Sequence, residues 1–383
     1  VIGGGIIGLS TAYAAAVRGQ GRTKVSLYEA DQVGHKGAAS TDMNRVFRYL
    51  NGPDPTLTIW AKEASSLWEY ISHLAGQSLF HRTGVLLLVH KQGDPAHRGH
   101  HIWPYDDIGV WVDESVRNLE AEGVPFQRLK RQDLTNRFPQ FRDNDIEEAI
   151  LDHEAGYLEA QTALHVLLDL CMKVGVNYYP YSPVQGLSSD ANGCLIQLKG
   201  GEEIRSDATV VTLNGWTGDL LPLPTNTLSL AEQPIIYLSP PNDASGLSEG
   251  ELPVFISLNT DCYGFPVNKG ILKVGDDNPY RPIAHPNQRR EPDKTYIERV
   301  IKTVAQLVPS LENSQIARTH VCFYDRSKDE RFILDAWDND ARIVYGCGMS
   351  GRAFKFGPII GERLARFAVT GERPPDLESF RIR

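Results

Sequence analysis

The chain opens Val1-Ile2-Gly3-Gly4-Gly5-Ile6-Ile7-Gly8, runs on through an Ala-rich stretch to about Val17, and then reads Val25-Ser26-Leu27-Tyr28-Glu29. The pattern is strand end, glycine turn, helix, then a second strand closed by an acid. In Gly3-x-Gly5-x-x-Gly8 the first glycine permits the tight turn. The second lets backbone approach a pyrophosphate at the helix N-terminus, and the third lets helix and strand pack closely. Glu29, 21 residues beyond Gly8, is placed to accept hydrogen bonds from a ribose diol. The combination predicts a dinucleotide-binding unit, and the spacing leaves FAD and NAD both open.

With 383 residues, 41% of them hydrophobic, the chain can bury a large core, and its length fits two domains. A net charge of -9 without a long basic run argues against nucleic acid or an anionic membrane as partner. Apolar runs such as Val85-Leu86-Leu87-Leu88-Val89 are strand-sized and short of the roughly 20 residues that span a bilayer, so a soluble protein is expected. The cysteines (Cys171, Cys194, Cys262, Cys322, Cys347) are scattered without CxxC spacing. Reduced thiols in the cytoplasm are expected, with neither a disulfide frame nor a metal site. Val1 already lies inside a strand and no initiator Met precedes it, so a few N-terminal residues are expected to be missing; an address at either end could be missing with them, and a missing C-terminal signal would allow a peroxisomal location in place of the cytoplasm.

Further along, Leu57, Trp60, Ala61, Ala64, Leu67, Trp68 and Ile71 keep helical spacing between Leu57 and Leu74. Thr83 to Val89 reads as a buried strand, Lys91 to Tyr105 as a polar loop, and Ala163 to Val174 as an amphipathic helix. A strand pair follows around Val184 and Cys194 to Leu198, then the apolar strand Ala208 to Leu213. Beyond Trp216 come Pro-rich strands (Ile235 to Leu238, Val254 to Leu258, Ile271 to Val274) interrupted by a helix from Tyr296 to Val308. The tail returns to strand (Ile343 to Cys347), Gly-rich turn (Gly348 to Gly351) and a helix opening near Pro358. An α/β fold is expected, with a Rossmann-like FAD-binding domain built from residues 1–79, 153–215 and 320–383. An antiparallel-sheet substrate domain of residues 80–152 and 216–319 is inserted into it.

The tail carries His320-Val321-Cys322-Phe323-Tyr324-Asp325-Arg326-Ser327-Lys328-Asp329-Glu330-Arg331-Phe332-Ile333 and then Gly348-Met349-Ser350-Gly351-Arg352-Ala353-Phe354-Lys355-Phe356. With Asp42-Met43-Asn44-Arg45-Val46-Phe47-Arg48, Gly156-Tyr157-Leu158-Glu159, Asn214-Gly215-Trp216 and Tyr263-Gly264-Phe265-Pro266 leading to Lys273, nearly the whole chain resembles one group of flavoenzymes. These are the monomeric sarcosine oxidases and fructosyl amino acid oxidases (amadoriases), whose D-amino-acid-oxidase-like fold the resemblance implies. It implies FAD linked through a thioether at Cys322. The cofactor residues it implies are Gly3, Gly5, Ile6, Ile7, Gly8, Glu29, Ala30, Ser40, Asn44, Arg45, Val184, Asn214, Gly215, Trp216, Cys322, Gly348, Ser350, Gly351, Arg352, Phe354 and Lys355.

By the same resemblance Arg45 sits against the flavin ring, and Arg48 points at a substrate carboxylate, for which a guanidinium fork is suited. Lys355 and Arg352 join Arg48 at the substrate, while Tyr263, Phe265 and Tyr324 line its cavity. Lys273 activates oxygen, although its spacing from Gly264-Phe265-Pro266 is one residue short of the group's. Reduced flavin is anionic, so backbone N–H groups of the Gly348 to Phe356 turn and the Lys355 charge are expected to face it. The implied reaction is oxidation of a secondary amine or N-substituted amino acid by a monomer, with oxygen as acceptor, giving an imine and hydrogen peroxide. The chain departs from sarcosine oxidases at Thr41, near a histidine of theirs, and from both groups at Arg352, again a histidine. The second change adds a permanent cation and suggests a substrate with a further acidic or polar group.

Rival readings are a flavin dehydrogenase passing electrons to another carrier, a cyclic imino acid (pipecolate-type) or saccharopine-type oxidase, an NAD-dependent Rossmann reductase, and a silent nucleotide-binding protein. His97-x-x-His100-His101 reads as a solvated loop, Trp60 and Trp68 as core, and Cys347 as a core thiol.

Overall fold

A computed structural model describes residues 1–91, 107–142, 145–278, 280–288, 291–338 and 340–383. The glycine turn leads into the helix Ile6–Gly19, and Ile2 bridges in parallel to both Tyr28 and Val211. That single residue joins two parallel pairs into one layer. On one side Ser26–Tyr28 pairs with Asn177–Tyr179, and on the other Thr209–Val211 pairs with Asp340–Cys347. Ile333–Trp337 closes the edge antiparallel. Helices Ala160–Lys173 and Gly357–Thr370 pack against Ile6–Gly19. The crossing is close enough that a Cβ at Gly361 would stand 2.6 Å from the Thr11 nitrogen. A three-stranded antiparallel sheet, Val184–Asp190, Gly193–Leu198 and Glu203–Ser206, completes this half.

The second half is one large sheet. Its strand order is Arg281–Ile283, Leu228–Ser239, Leu272–Asp276, Cys262–Gly264, Val254–Ser257, Val85–His90, Ile146–Asp152 and Phe126–Lys130. All neighbours are antiparallel except Val254–Ser257 with Val85–His90. The helix Lys294–Leu307, capped by the Asp293 carboxylate on the Tyr296 N–H (2.8 Å), covers one face through Tyr296, Val300 and Val304. Along Leu228–Ser239 lies the 13-residue strand Gln315–Ser327, which pairs Gln233 with Cys322 and Ala231 with Tyr324. This strand straddles residues 319 and 320, so the motif around Cys322 hangs from the large sheet and ends beside the nucleotide layer.

A small sheet of Arg45–Phe47, Gly156–Leu158 and Phe80–His81 ties the halves together. Trp60 and Trp68 are buried, and so are all five cysteines, none joined to another. Among the described residues no helix is long and apolar enough to cross a membrane.

Candidate active site

Two adjoining cavities occupy the junction of the halves. The first is lined by Gly3 to Ile7, Glu29, Ala30, Ser40, Arg45, Val184, Asn214, Trp216, Phe323 to Asp325, Gly351 and Phe354, among others. Glu29 reaches back across the glycine turn: its Oε2 accepts the Gly4 N–H (2.6 Å) and its Oε1 the Asp31 N–H (3.0 Å). The helix Ile6–Gly19 has no acid in its first turn and no side-chain cap from Gly5, although Ser40 Oγ accepts the Ile6 N–H at 3.0 Å. Gly3 holds φ +101°, which a side chain would resist, and a Cβ on Gly8 would lie 1.8 Å from the Gly3 carbonyl oxygen. A helix N-terminus with no acid of its own, a cradle that excludes side chains and a carboxylate at the next strand end suit pyrophosphate and ribose together. The residues present fit a dinucleotide.

The sulfur of Cys322 lies behind the same wall, 3.5 Å from the Ala39 carbonyl and 3.7 Å from Arg45 Nη2, two residues that line the cavity. Gly215 packs too tightly for a Cβ, 2.7 Å from Phe323. Asn44 is buried, with neither atom of its side-chain amide hydrogen-bonded among the described residues. The Gly348 to Phe356 turn corrects one expectation. The N–H groups of Gly348 (2.6 Å) and Met349 (3.1 Å) go to the Asp325 carboxylate and that of Ser350 to its carbonyl (2.9 Å). Only the later part of the turn can therefore offer donors. Burial pushes the Asp325 carboxyl up to about 7.

The second cavity is walled by Arg45, Val46, Arg48, Ile256, Tyr263, Phe265, Lys273, Asp277, Tyr324, Gly351, Arg352, Phe354 and Lys355. It thus gathers Lys273, Arg45, Tyr263 and Tyr324 with Arg48, Lys355, Arg352 and Phe265. Arg45, Tyr324, Gly351 and Phe354 line both cavities. Lys355 and Arg352 line this second cavity and are not among the residues that line the first. Lys355 Nζ donates to Asn51 Oδ1 (2.7 Å), and the Lys355 carbonyl is held by Trp68 Nε1 (2.8 Å). Arg48 is buried, donates to the Leu50 carbonyl, and lies 5.6 Å over the Trp111 ring. Arg352 donates to the Glu330 carbonyl while lining the cavity. Burial, then the charges of Arg48 and Arg352, hold the Lys355 ammonium well below its ordinary value. Burial and Arg352 bring Arg48 down to about 10. Three cations crowd one end.

Two acids at this site escaped the sequence reading. Asp277 lines the cavity and its Oδ1 accepts the Tyr324 hydroxyl at 2.8 Å. Asp152, fully buried at the end of Ile146–Asp152, accepts the Tyr49 N–H at 2.7 Å. A signal existed for the first: Lys273, Gly275 and Asp277 alternate along an extended segment and so share a face. Gly275 lets Tyr263 lie across that face, where a Cβ would meet its hydroxyl at 2.4 Å. The histidines at 97, 100 and 101 lie outside the described residues; among those described no group of side chains could hold a metal ion.

Comparison with known proteins meets this geometry. The family model described as FAD dependent oxidoreductase matches residues 1–367. An N-methyl-L-tryptophan oxidase of Yersinia pestis (strain Pestoides F) is 24% identical over 388 residues, covering 100% of this chain and 97% of the relative. The open form of NikD, an unusual amino acid oxidase essential for nikkomycin biosynthesis, superposes with a TM-score of 0.82 at 22% identity, covering 100% and 96% of the two chains. Fructosamine oxidase (Amadoriase II) of Aspergillus fumigatus superposes with a TM-score of 0.79 at 20% identity, covering 99% and 87%. The shared fold extends over the full chain, and the family match selects FAD where the glycine spacing alone could not.

Proposed function

Because the chain belongs to the FAD-dependent oxidoreductase family, we propose that it oxidises a secondary amine or N-substituted amino acid that carries a carboxylate. The observation that carries this is the convergence of Arg48, Arg352 and Lys355 on a small aromatic-walled cavity adjoining the dinucleotide cavity. FAD, when bound, supplies the two-electron acceptor for the carbon–hydrogen bond next to the amine nitrogen. The chain does the rest. Arg48 and Lys355 hold the carboxylate, and the planar fork of Arg48 fixes its orientation. Tyr263, Phe265 and Tyr324 exclude water, which favours the neutral amine needed for oxidation. Arg352, a further cation, favours substrates with a second acidic or polar group.

Cys322 is the proposed attachment point of the cofactor, supported by its place behind the wall formed by Ala39 and Arg45. Lys273, buried under Phe265 and Tyr263 at 4.9 and 5.8 Å from their ring centres, is the proposed stabiliser of negative charge developing on dioxygen. The chain is proposed to act as a monomer. The test is anaerobic mixing with a panel of N-methyl amino acids, their methyl esters and simple secondary amines, followed at the visible flavin band, then oxygen uptake. Bleaching by the acids, with kcat/KM for esters lower by about 100-fold or more, is expected from the loss of a charge-assisted pair. Equal use of acids, esters and simple amines overturns the proposal.

A further inference from the structure

We propose that Asp42 is a positioning residue for the oxygen step: one buried carboxylate that clasps the Lys273 ammonium and the Arg45 guanidinium together at the cavity wall. The inference rests on the assignment of Lys273 made above. The Asp42 side chain is wholly shielded from solvent. Its Oδ2 takes Lys273 Nζ and, at 3.0 Å, Arg45 Nη1; its Oδ1 takes the Tyr237 hydroxyl and, at 2.7 Å, the Met43 N–H. Four donors therefore fix the carboxylate from four sides, and none of them can swing without loosening the others.

The lysine depends on this clasp. Lys273 is 1% exposed. Apart from Asp42 it donates to the Asn44 carbonyl (2.9 Å) and lies over two ring faces. The groups acting on it from the elements around it are Asp42, Arg45, Tyr263 and Cys322, with Tyr237 acting through Asp42. Of these Asp42 is the counter-charge. Burial lowers the Lys273 ammonium, Asp42 pulls it back, and it settles at about 8. Removing one partner of a buried pair leaves the other uncompensated, and a buried amine answers by giving up its proton. A neutral amine cannot stabilise charge on dioxygen. In that step dioxygen takes two electrons and one proton from the anionic reduced cofactor and a second proton from water, and leaves as hydrogen peroxide, while Lys273 keeps its proton throughout and supplies only its field.

The experiment uses Asp42→Asn in two forms of the protein. In the apoprotein, the pH dependence of Lys273 acylation by acetic anhydride, read by peptide mass spectrometry, should move its midpoint down by about two pH units or more relative to wild type. In the holoprotein, anaerobic reduction should stay within about 3-fold, while reoxidation at pH 8 slows by about 30-fold or more and recovers toward lower pH. An unmoved acylation midpoint, or equal losses in both half-reactions, overturns the proposal. Asp42→Glu keeps the charge but displaces it, so reoxidation should slow with the acylation midpoint retained; wild-type reoxidation there also overturns it. Lys273→Met separates the two levels. If that variant reoxidises normally, the oxygen assignment itself falls; if it is slow while Asp42→Asn is silent, only the role of Asp42 falls.

Discussion

Asp152 gives the sharpest pH-dependent expectation. Its carboxyl is fully buried, its Oδ2 accepts one N–H from Tyr49, and its Oδ1 has no hydrogen-bond partner among the described residues. Burial pushes it up to about 7, against the downward pull of the Tyr49 and Leu50 amides and then of the Lys355 and Arg48 charges. A carboxyl raised in the folded state binds its proton more tightly there than in the unfolded chain, where it titrates near 3.8. The stability it contributes is therefore complete below 3.8 and declines as pH rises, until the loss is full above about 7. The interval corresponds to roughly 4 kcal/mol as an upper bound, at about 1.4 kcal/mol per pH unit. Asp152→Asn copies the shape of the protonated acid without its titration. Denaturant unfolding of both proteins from pH 4 to 9 should give a wild-type-minus-variant difference that falls steadily to about pH 7 and is level beyond it. Binding of a simple monocarboxylate at Arg48 and Lys355 should weaken above pH 7 in wild type, where Asp152 is anionic, and less so in the variant. A constant offset between the two stability curves would refute the reasoning.

Gly8→Ala should destabilise the protein by about 2–3 kcal/mol and weaken FAD binding, because the new methyl collides with backbone at the Gly3 carbonyl, not with a movable side chain; unfolding and cofactor titration measure both. Cys322→Ser should release all yellow colour into the supernatant on acid precipitation, whereas wild type keeps it on the polypeptide; retention in the variant refutes the attachment. Arg352→His should lower kcat/KM for amino acids with a second acidic group relative to small N-methyl amino acids, and an unchanged order of preference across such a panel would sink the substrate argument.

The elements legible in the sequence were those whose signal is local. The glycine turn and its helix (Ile6–Gly19), the amphipathic helices (Pro55–Ala75, Ala160–Lys173, Lys294–Leu307) and the apolar strand Val85–His90 follow from spacing and composition. Strands held by long-range pairing were harder. Phe126–Lys130 alternates only weakly, with a single fully buried residue, Leu129, and is a strand because it lies against Ile146–Asp152. Arg45–Phe47 is three residues long and exists through Gly156–Leu158. Gln315–Ser327 begins with four exposed residues, so its first half lacks the hydrophobic alternation that would announce it. In each case tertiary contact decides what propensity leaves open.

The site was legible in its cations and not in its acids, and that asymmetry changes the substrate argument. Counted alone, Arg48, Lys355 and Arg352 demand anionic compensation, and a second substrate carboxylate supplies it. Asp277 and Asp152 alter the count. Asp277 sits four residues after Lys273 in an extended run and lines the cavity with it; Asp152 arrives from a strand more than a hundred residues away in sequence, where nothing local marks it. Burial depresses the Lys355 ammonium and raises the Asp152 carboxyl, so two opposite groups that act on each other through their charges each resist charging. A substrate carboxylate entering between Arg48 and Lys355 favours the charged lysine and the protonated acid together. One carboxylate, with a proton taken up near neutral pH, can therefore satisfy the cationic end. The second acidic group rests on Arg352 alone, whose guanidinium already gives one hydrogen bond to the Glu330 carbonyl. Its demand on the ligand is correspondingly weaker than the cation count implies, and proton uptake on binding a monocarboxylate becomes the measurement that distinguishes the two accounts.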